Sequence, residues 1–410
     1  MHSTYEDQLE LFLCRRMYCE ETTYFTPSIM NVTQLIWKDH QWNIFGDDTA
    51  KDPQICILFG TRETLEDKDY YSELRKKYPN ADIVSCSTAG NIVDDELLDD
   101  VIVANCIASE KTTIKSRLLH FKDYCDEENE ICGEKLGRNL VHQLDRKELS
   151  YLLILSSSNL NAGSFLNGLN DELMDKIPIS GGVAGDNYKF EKTLVGLNEE
   201  IGENRIVAIS FHGKHLETYH GSKGGWDIFG PERTITKAKG NVLYEIDGKP
   251  ALDLYKKYLG EKSEELPGAA LHFPFSVVDP KTNELLVRGV QNIDTNSNSI
   301  ILFADVEEGS SIQLMKANFD RVIDGVHDAA EASFQKDRGM PDFAILISCV
   351  ARRLVLNQLT EEELTEAKNI LGEHTKISGF YSYSELSPIV GDDACHVHNQ
   401  TMTITSFYEN

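Results

Sequence analysis

The chain is poor in positive charge: 40 Lys and Arg stand against 67 Asp and Glu in 410 residues, a formal net charge of −27. Such a surface repels phosphate backbones and anionic lipid, which excludes nucleic acid and membrane surfaces as natural partners. No uninterrupted apolar run approaches the roughly 18–20 residues that span a bilayer, so no membrane insertion is expected. Glu6, Asp7 and Glu10 occupy the place of a signal peptide's basic region, and Leu11–Cys14 is short for its apolar core. The nine cysteines are odd in number and never spaced CxxC, which argues against a disulfide framework and a zinc ribbon. Together these features predict a reduced, cytoplasmic protein. The familiar catalytic signatures are missing too: GxxxxGK[ST], GxGxxG, GxSxG, HExxH and the EF-hand loop.

What is present is a recurring pattern. Apolar strand-like runs begin at residues 55, 151, 242 and 343, separated by 96, 91 and 101 residues. Each leads into a helical stripe and then another strand. In three of them a loop of small residues and a last strand follow. The stripes are Leu65–Tyr78, Leu166–Ile177 and Leu364–Leu371, and the weaker copy has a helix Ala251–Leu259 and a strand Ala269–Phe275. The spacing is too long for a solenoid, so copies of a domain-sized unit are expected, paired two and two. The predicted fold is α/β, with mixed sheets, flanking helices and two related lobes from an internal duplication. A six-turn helix is predicted over Ile312–Phe334, from apolar residues stepping by three or four. Residues 1–50 lack strand alternation, with a short helix expected around Leu9–Met17 and Trp37–Trp42 packing on the first domain. His212, His215 and His220 read as solvated around a hairpin turn.

Four segments carry candidate chemistry. Cys86, Ser87 and Thr88 open a loop ending at Gly90, where small residues let backbone N–H groups approach a ligand. Gly182–Asn187 repeats that design, with Asp186 as a carboxylate for an ammonium or hydroxyl and Asn187 beside it. Arg352, after the buried run Phe343–Ser348, is suited to clamping a carboxylate. Arg288 is a similar candidate. His396 and His398 share one face of an extended segment that continues into Asn399 and Gln400. Each segment has a plain structural alternative: a glycine turn for the loops, an ion pair for the arginines, a satisfied buried network for the histidine segment. Cys86 or Cys349 is an alternative nucleophile, Cys349 through a thiol pKa lowered by Arg352 and Arg353.

These motifs, SCSTAGNI at 85–92, SGGVAGDN at 180–187, ISCVARR at 347–353, SGFYSYSEL at 378–386 and CHVHNQTMT at 395–403, resemble those of the FIST sensory domain. GWDIFGPERTITKAKGNVLYEIDGKPALDLYKKYLG at 225–260 is similar to the start of its C-terminal half. Asn91 departs from the pattern, where many members carry Glu. The resemblance implies an N-terminal extension over 1–50, a FIST N-terminal domain over 51–222 and a FIST C-terminal domain over 223–410. It implies a stand-alone sensor rather than an enzyme, binding a small amino-acid-like ligand and signalling in trans to a histidine kinase or a cyclic-di-GMP enzyme. The expected site joins Cys86, Ser87, Thr88, Gly182, Asp186, Asn187, Arg352, Phe380, Tyr381, Glu385, His398, Asn399 and Gln400 around one hollow. No cofactor is required by this reading. In the alternative, the nitric-oxide-sensing branch, haem iron is bound, with His398 as the candidate ligand.

Overall fold

The computed structural model describes residues 30–124, 130–173, 177–278, 285–389 and 392–410. The helix expected around Leu9–Met17 lies outside these residues, as do Cys14, Cys19 and Cys125.

The fold is mixed α/β, and the repeat exists in three copies. In the first, Ile55–Gly60 runs parallel to Asp82–Ser87 and antiparallel to Ile102–Ser109. In the second, Leu149–Ser156 takes the same place between Ile179–Val183 and Arg205–His212. In the third, Phe343–Cys349 lies between Lys376–Ser382 and Met402–Glu409. Strands such as Ile55–Gly60 and Phe343–Cys349 are buried at every position, which is why they read as continuous apolar runs. The crossover helices Asp69–Lys77, Ala162–Glu172 and Thr360–Leu371 bury one face each, through Leu74, Leu169 and Leu364 among others.

The copies interlock. A hairpin follows the second strand of each, and its first arm joins the sheet of another copy. Asn91–Val93 pairs with Lys376–Ser382, Val195–Leu197 with Asp82–Ser87, and Ser384–Ile389 with Ile179–Val183. Each sheet is extended on its other side by an antiparallel strand: Met30–Lys38, Thr113–His120 and Leu216–Lys223 respectively. Residues 30–45 thus form strands despite their irregular pattern, and Trp37 packs into the first copy's core as expected.

The fourth candidate copy is different. Val242–Ile246 and the helix Ala251–Leu259 form as expected, but within an eight-stranded antiparallel sheet with its own core. Residues 269–275 are not one strand: a 3₁₀ helix, Gly268–His272, precedes the strand Phe275–Val278. This sheet is inserted between Leu216–Lys223 and the helix Phe319–Ser333 of the third copy. The six-turn helix expected over Ile312–Phe334 is split. Ser311–Ala317 is a strand, and Asn318 starts the helix by accepting from the Arg321 N–H.

His212 and His220 are packed rather than solvated; His212 bonds Lys147 and Ser210, and His220 bonds Thr218 and Thr405. Cys56, Cys86, Cys106, Cys349 and Cys395 are free and buried. Cys132 departs from the expectation of reduced thiols, being disulfide-bonded. Among the described residues no helix is long and apolar enough to cross a membrane.

Candidate functional site

The small-residue loops do converge. Ala89 N–H donates to the Tyr381 carbonyl at 2.8 Å and Tyr381 N–H to the Gly90 carbonyl at 2.9 Å. Gly185 N–H reaches the Ser87 carbonyl at 2.9 Å, Asn187 N–H the Thr88 carbonyl at 3.3 Å, and Tyr383 N–H the Val183 carbonyl at 3.0 Å. They meet one another, however, and not a hollow. A Cβ on Gly185 would lie 2.9 Å from the Ala89 nitrogen, and one on Gly182 would lie 3.0 Å from the Phe380 ring. Cys86 and Phe380 belong to one apolar core, where Phe380 stacks on Phe59 at 4.8 Å. The N–H groups expected to face a ligand bond the chain itself.

The charged motif residues are likewise engaged internally. The carboxylate that Arg352 clamps is Glu363, at 2.9 Å from Nη2 and 3.1 Å from Nε. The guanidinium also donates to the carbonyls of Gly224 and Val322, and Glu363 accepts from Tyr381 Oη at 2.6 Å. Asp186 accepts the backbone N–H groups of Phe190, Glu191 and Lys192 at 2.9, 3.0 and 2.9 Å, besides the Tyr383 hydroxyl. Glu385 holds Ser382 Oγ at 2.7 Å and the Thr401 N–H at 3.2 Å. Burial pushes its carboxyl up to about 8. Asn91 performs the same task in the first copy: its amide ties Thr88 Oγ1, at 2.7 Å, to the Val101 carbonyl, at 3.2 Å. Asn91 thus pins its loop with a side chain that does not ionise.

His398–Gln400 joins the inserted sheet to the third copy. Gln400 Nε2 donates to the Leu271 carbonyl at 3.2 Å, Trp226 Nε1 donates to the Gln400 carbonyl at 2.9 Å, and Asn399 Oδ1 accepts from Gly289 N–H at 3.4 Å. His398 and Asn399 line a cavity of about 350 Å³ with His220, Lys223 and Arg288. Burial lowers the pKa of His398 to about 4, so its ring is neutral at pH 7. Its Nε2 lies 3.1 Å from the Ser387 carbonyl, which only accepts, so Nε2 carries the proton. Its Nδ1 lone pair faces Ser222 Oγ at 3.3 Å. An iron ligand needs an open lone pair, so His398 as placed does not fit haem. Nor does it belong to the one close trio of metal-ligating side chains among the described residues, the exposed His40, Asp67 and Asp69.

Cys349 is not activated. Burial and then the neighbouring Glu385 push its thiol well above the usual range, outweighing Arg352. Burial raises the Cys86 thiol as well. Neither is a poised thiolate.

The open space lies beside the expected cluster. A cleft of about 550 Å³ runs between the carboxyl ends of Leu149–Ser156 and Ile179–Val183 and the inserted sheet. That volume suits a metabolite, and strand carboxyl ends are where α/β sheets bind ligands. Phe190, Tyr383 and Phe303 supply an aromatic wall; Lys239 and Glu191 supply opposite charges. Asn161, also on the lining, caps the helix Ala162–Glu172 and donates to Asp305 at 3.1 Å. Of the loops that follow first strands, the expected site takes in only the one at Arg352. The run Ser156–Asn161, small and polar after a buried strand, carried a comparable signal. Lys239 and Phe303 had none, because a separate sheet delivers them.

Matches to known proteins fit this architecture. The FIST N domain matches residues 54–249 and the FIST C domain residues 251–388. The chain belongs to the FIST family. FIST domains are sensory rather than catalytic parts of signal-transduction proteins, and they bind small ligands. An uncharacterised protein of Methanocaldococcus jannaschii is 25% identical over 332 residues, 75% of this chain and 62% of that protein. The chain thus spans less than two thirds of that relative's length. An uncharacterised Mycobacterium tuberculosis protein is 21% identical over 361 residues, covering 86% of this chain and 91% of its own length.

Proposed function

We propose that this FIST chain is a cytoplasmic sensor whose ligand is a small amino-acid-like molecule held in the 550 Å³ cleft. The observation that carries this reading is that the cleft's lining holds one cation, Lys239, and one anion, Glu191, which also faces Arg62 at 3.4 Å, among otherwise uncharged residues. A zwitterion presents the complementary charges. The cleft's walls come from two bodies, the interlocked copies and the inserted sheet. A ligand touching both favours one arrangement of the two, and a partner protein that reads this arrangement completes the signal. A histidine kinase or a cyclic-di-GMP enzyme is the partner class proposed.

Thermal-shift screening with the amino acids tests the ligand. Stabilisation by at least one of them, lost in Lys239→Glu, is expected. No shift with any amino acid would overturn the reading.

A further inference from the structure

Phe190 is an unusual residue to find on a surface. It is 43% exposed and sits at φ 52°, in the left-handed region that bulky side chains rarely adopt. Such strain persists only where the surroundings impose it, and it gathers at binding sites. Here Asp186 imposes it, by accepting three successive N–H groups from Phe190 onward. The outcome is a ring stacked on Tyr383 at 4.3 Å, with an interplanar angle of 18°. Across the cleft, Phe303 of the inserted sheet lies 6.3 Å away at 40°.

At that spacing the two rings touch each other, and a third ring enters between them only as they part. A flat ring between two others needs two layers of carbon contact at roughly 3.5–4 Å each, a centroid separation of about 7–8 Å. The Phe190 and Phe303 rings stand slightly nearer than this and are tilted, so a small parting and levelling admits one ring. We infer that the ligand is an aromatic amino acid, or a carboxylate of similar shape, whose ring is clamped between Phe190 and Phe303. The inference rests on the cleft being the ligand site. It deepens that reading by assigning Phe190 and Phe303 as specificity-determining residues. The clamp also supplies the route of the signal. Phe190 belongs to the interlocked copies and Phe303 to the inserted sheet, so the ring bridges the two bodies. Asp186 and Tyr383 hold Phe190 from below, where Tyr383 N–H bonds Val183 at the centre of the loop cluster.

The test is the melting temperature and isothermal titration of the full chain with L-phenylalanine, L-tryptophan, L-leucine and L-glutamate. Wild type, Phe303→Leu and Phe190→Leu are compared, each with unchanged circular dichroism. L-Phenylalanine or L-tryptophan should bind most tightly, and each Leu variant should bind that ligand roughly tenfold more weakly, the loss of one aromatic stacking contact. Equal or tighter binding of L-leucine or L-glutamate would overturn the clamp and leave the cleft standing as the ligand site. So would aromatic binding that both Leu variants retain in full. No binding by any of the four overturns the clamp, and the wider amino-acid screen then decides the site itself.

Discussion

Arg352 and Glu363 form an ion pair in which neither side chain reaches solvent, with Nη2 and Oε2 2.9 Å apart. The pair lies where a ligand-binding arginine was expected and fixes the start of the third copy's helices. Removing one partner leaves a buried charge alone, at a cost of about 3–5 kcal/mol. Glu363→Gln and Arg352→Met should each lower the unfolding free energy read from urea denaturation by that measure without changing the cleft's residues. A loss under 1 kcal/mol in both would show the pair to be hydrated.

Glu385 gives the fold a pH dependence of unusual sign. Its folded carboxyl titrates near 8 against the ordinary 4.5, because burial outweighs its hydrogen bonds. Between those values the folded chain keeps a proton that the unfolded chain has released. This contribution to stability is complete below about 4.5 and is lost as pH rises towards 8, by up to about 1.4 kcal/mol per unit. Denaturation of Glu385→Gln should show a flatter decline from pH 5 to 8 than the parent. Parallel curves would contradict it.

His220 and His398 act in the opposite direction. Burial lowers both to about 4 from 6.5. Their contribution is complete above about 6.5 and is lost as pH falls through 4. His398→Asn and His220→Asn should each reduce the acid sensitivity measured between pH 6.5 and 4.5. An unchanged slope in both variants would mean that these rings take up protons as readily in the folded chain as in the unfolded one.

The copies predict their own mutational pattern. Gly181 and Gly379 hold matching places beside Ile154 and Leu346, and a Cβ on either would overlap those carbonyl oxygens. Gly181→Ala and Gly379→Ala should each cost about 3 kcal/mol or more in thermal or urea unfolding. The matching position in the first copy is Ser85, opposite Leu58, which already carries a Cβ. Ser85→Ala should therefore cost less than about 1 kcal/mol, within the range of mild substitutions. Equal effects at the three positions would show that overlap of an added Cβ is not what costs stability at the two glycines.

Much of this fold was legible because buried parallel strands write themselves as unbroken apolar runs. Ile55–Gly60, Leu149–Ser156 and Phe343–Cys349 are such runs, and the helices between them carry plain stripes. The exchange of hairpins was not legible. Val195–Leu197 and Glu200–Gly202 are too short to show a period, and the strand that Val195–Leu197 joins, Asp82–Ser87, lies more than 100 residues away. Ile312 and Leu314 alternate with Ser311 and Gln313 as a strand does, yet Met315 and Phe319 complete a helical series. Asn318, a helix-capping residue, was the sign that the series breaks. The site was half legible. Phe380–Glu385 does reach the cleft, through Tyr383 and Ser384, while Arg352 and Glu385 are held by residues of their own chain. A carboxylate partner inside Thr360–Leu371, whose first turn holds Glu361, Glu362 and Glu363, looks in sequence like a solvated acidic face.

Hydrogen exchange of the whole chain, with and without a mixture of the twenty amino acids, tests the central claim most directly. Ligand in the cleft should slow exchange together in residues 158–162, 190–192 and 239–244, which no single element connects. Protection confined to residues 220–226 and 397–401 around the second cavity, or no protection at all, would contradict it.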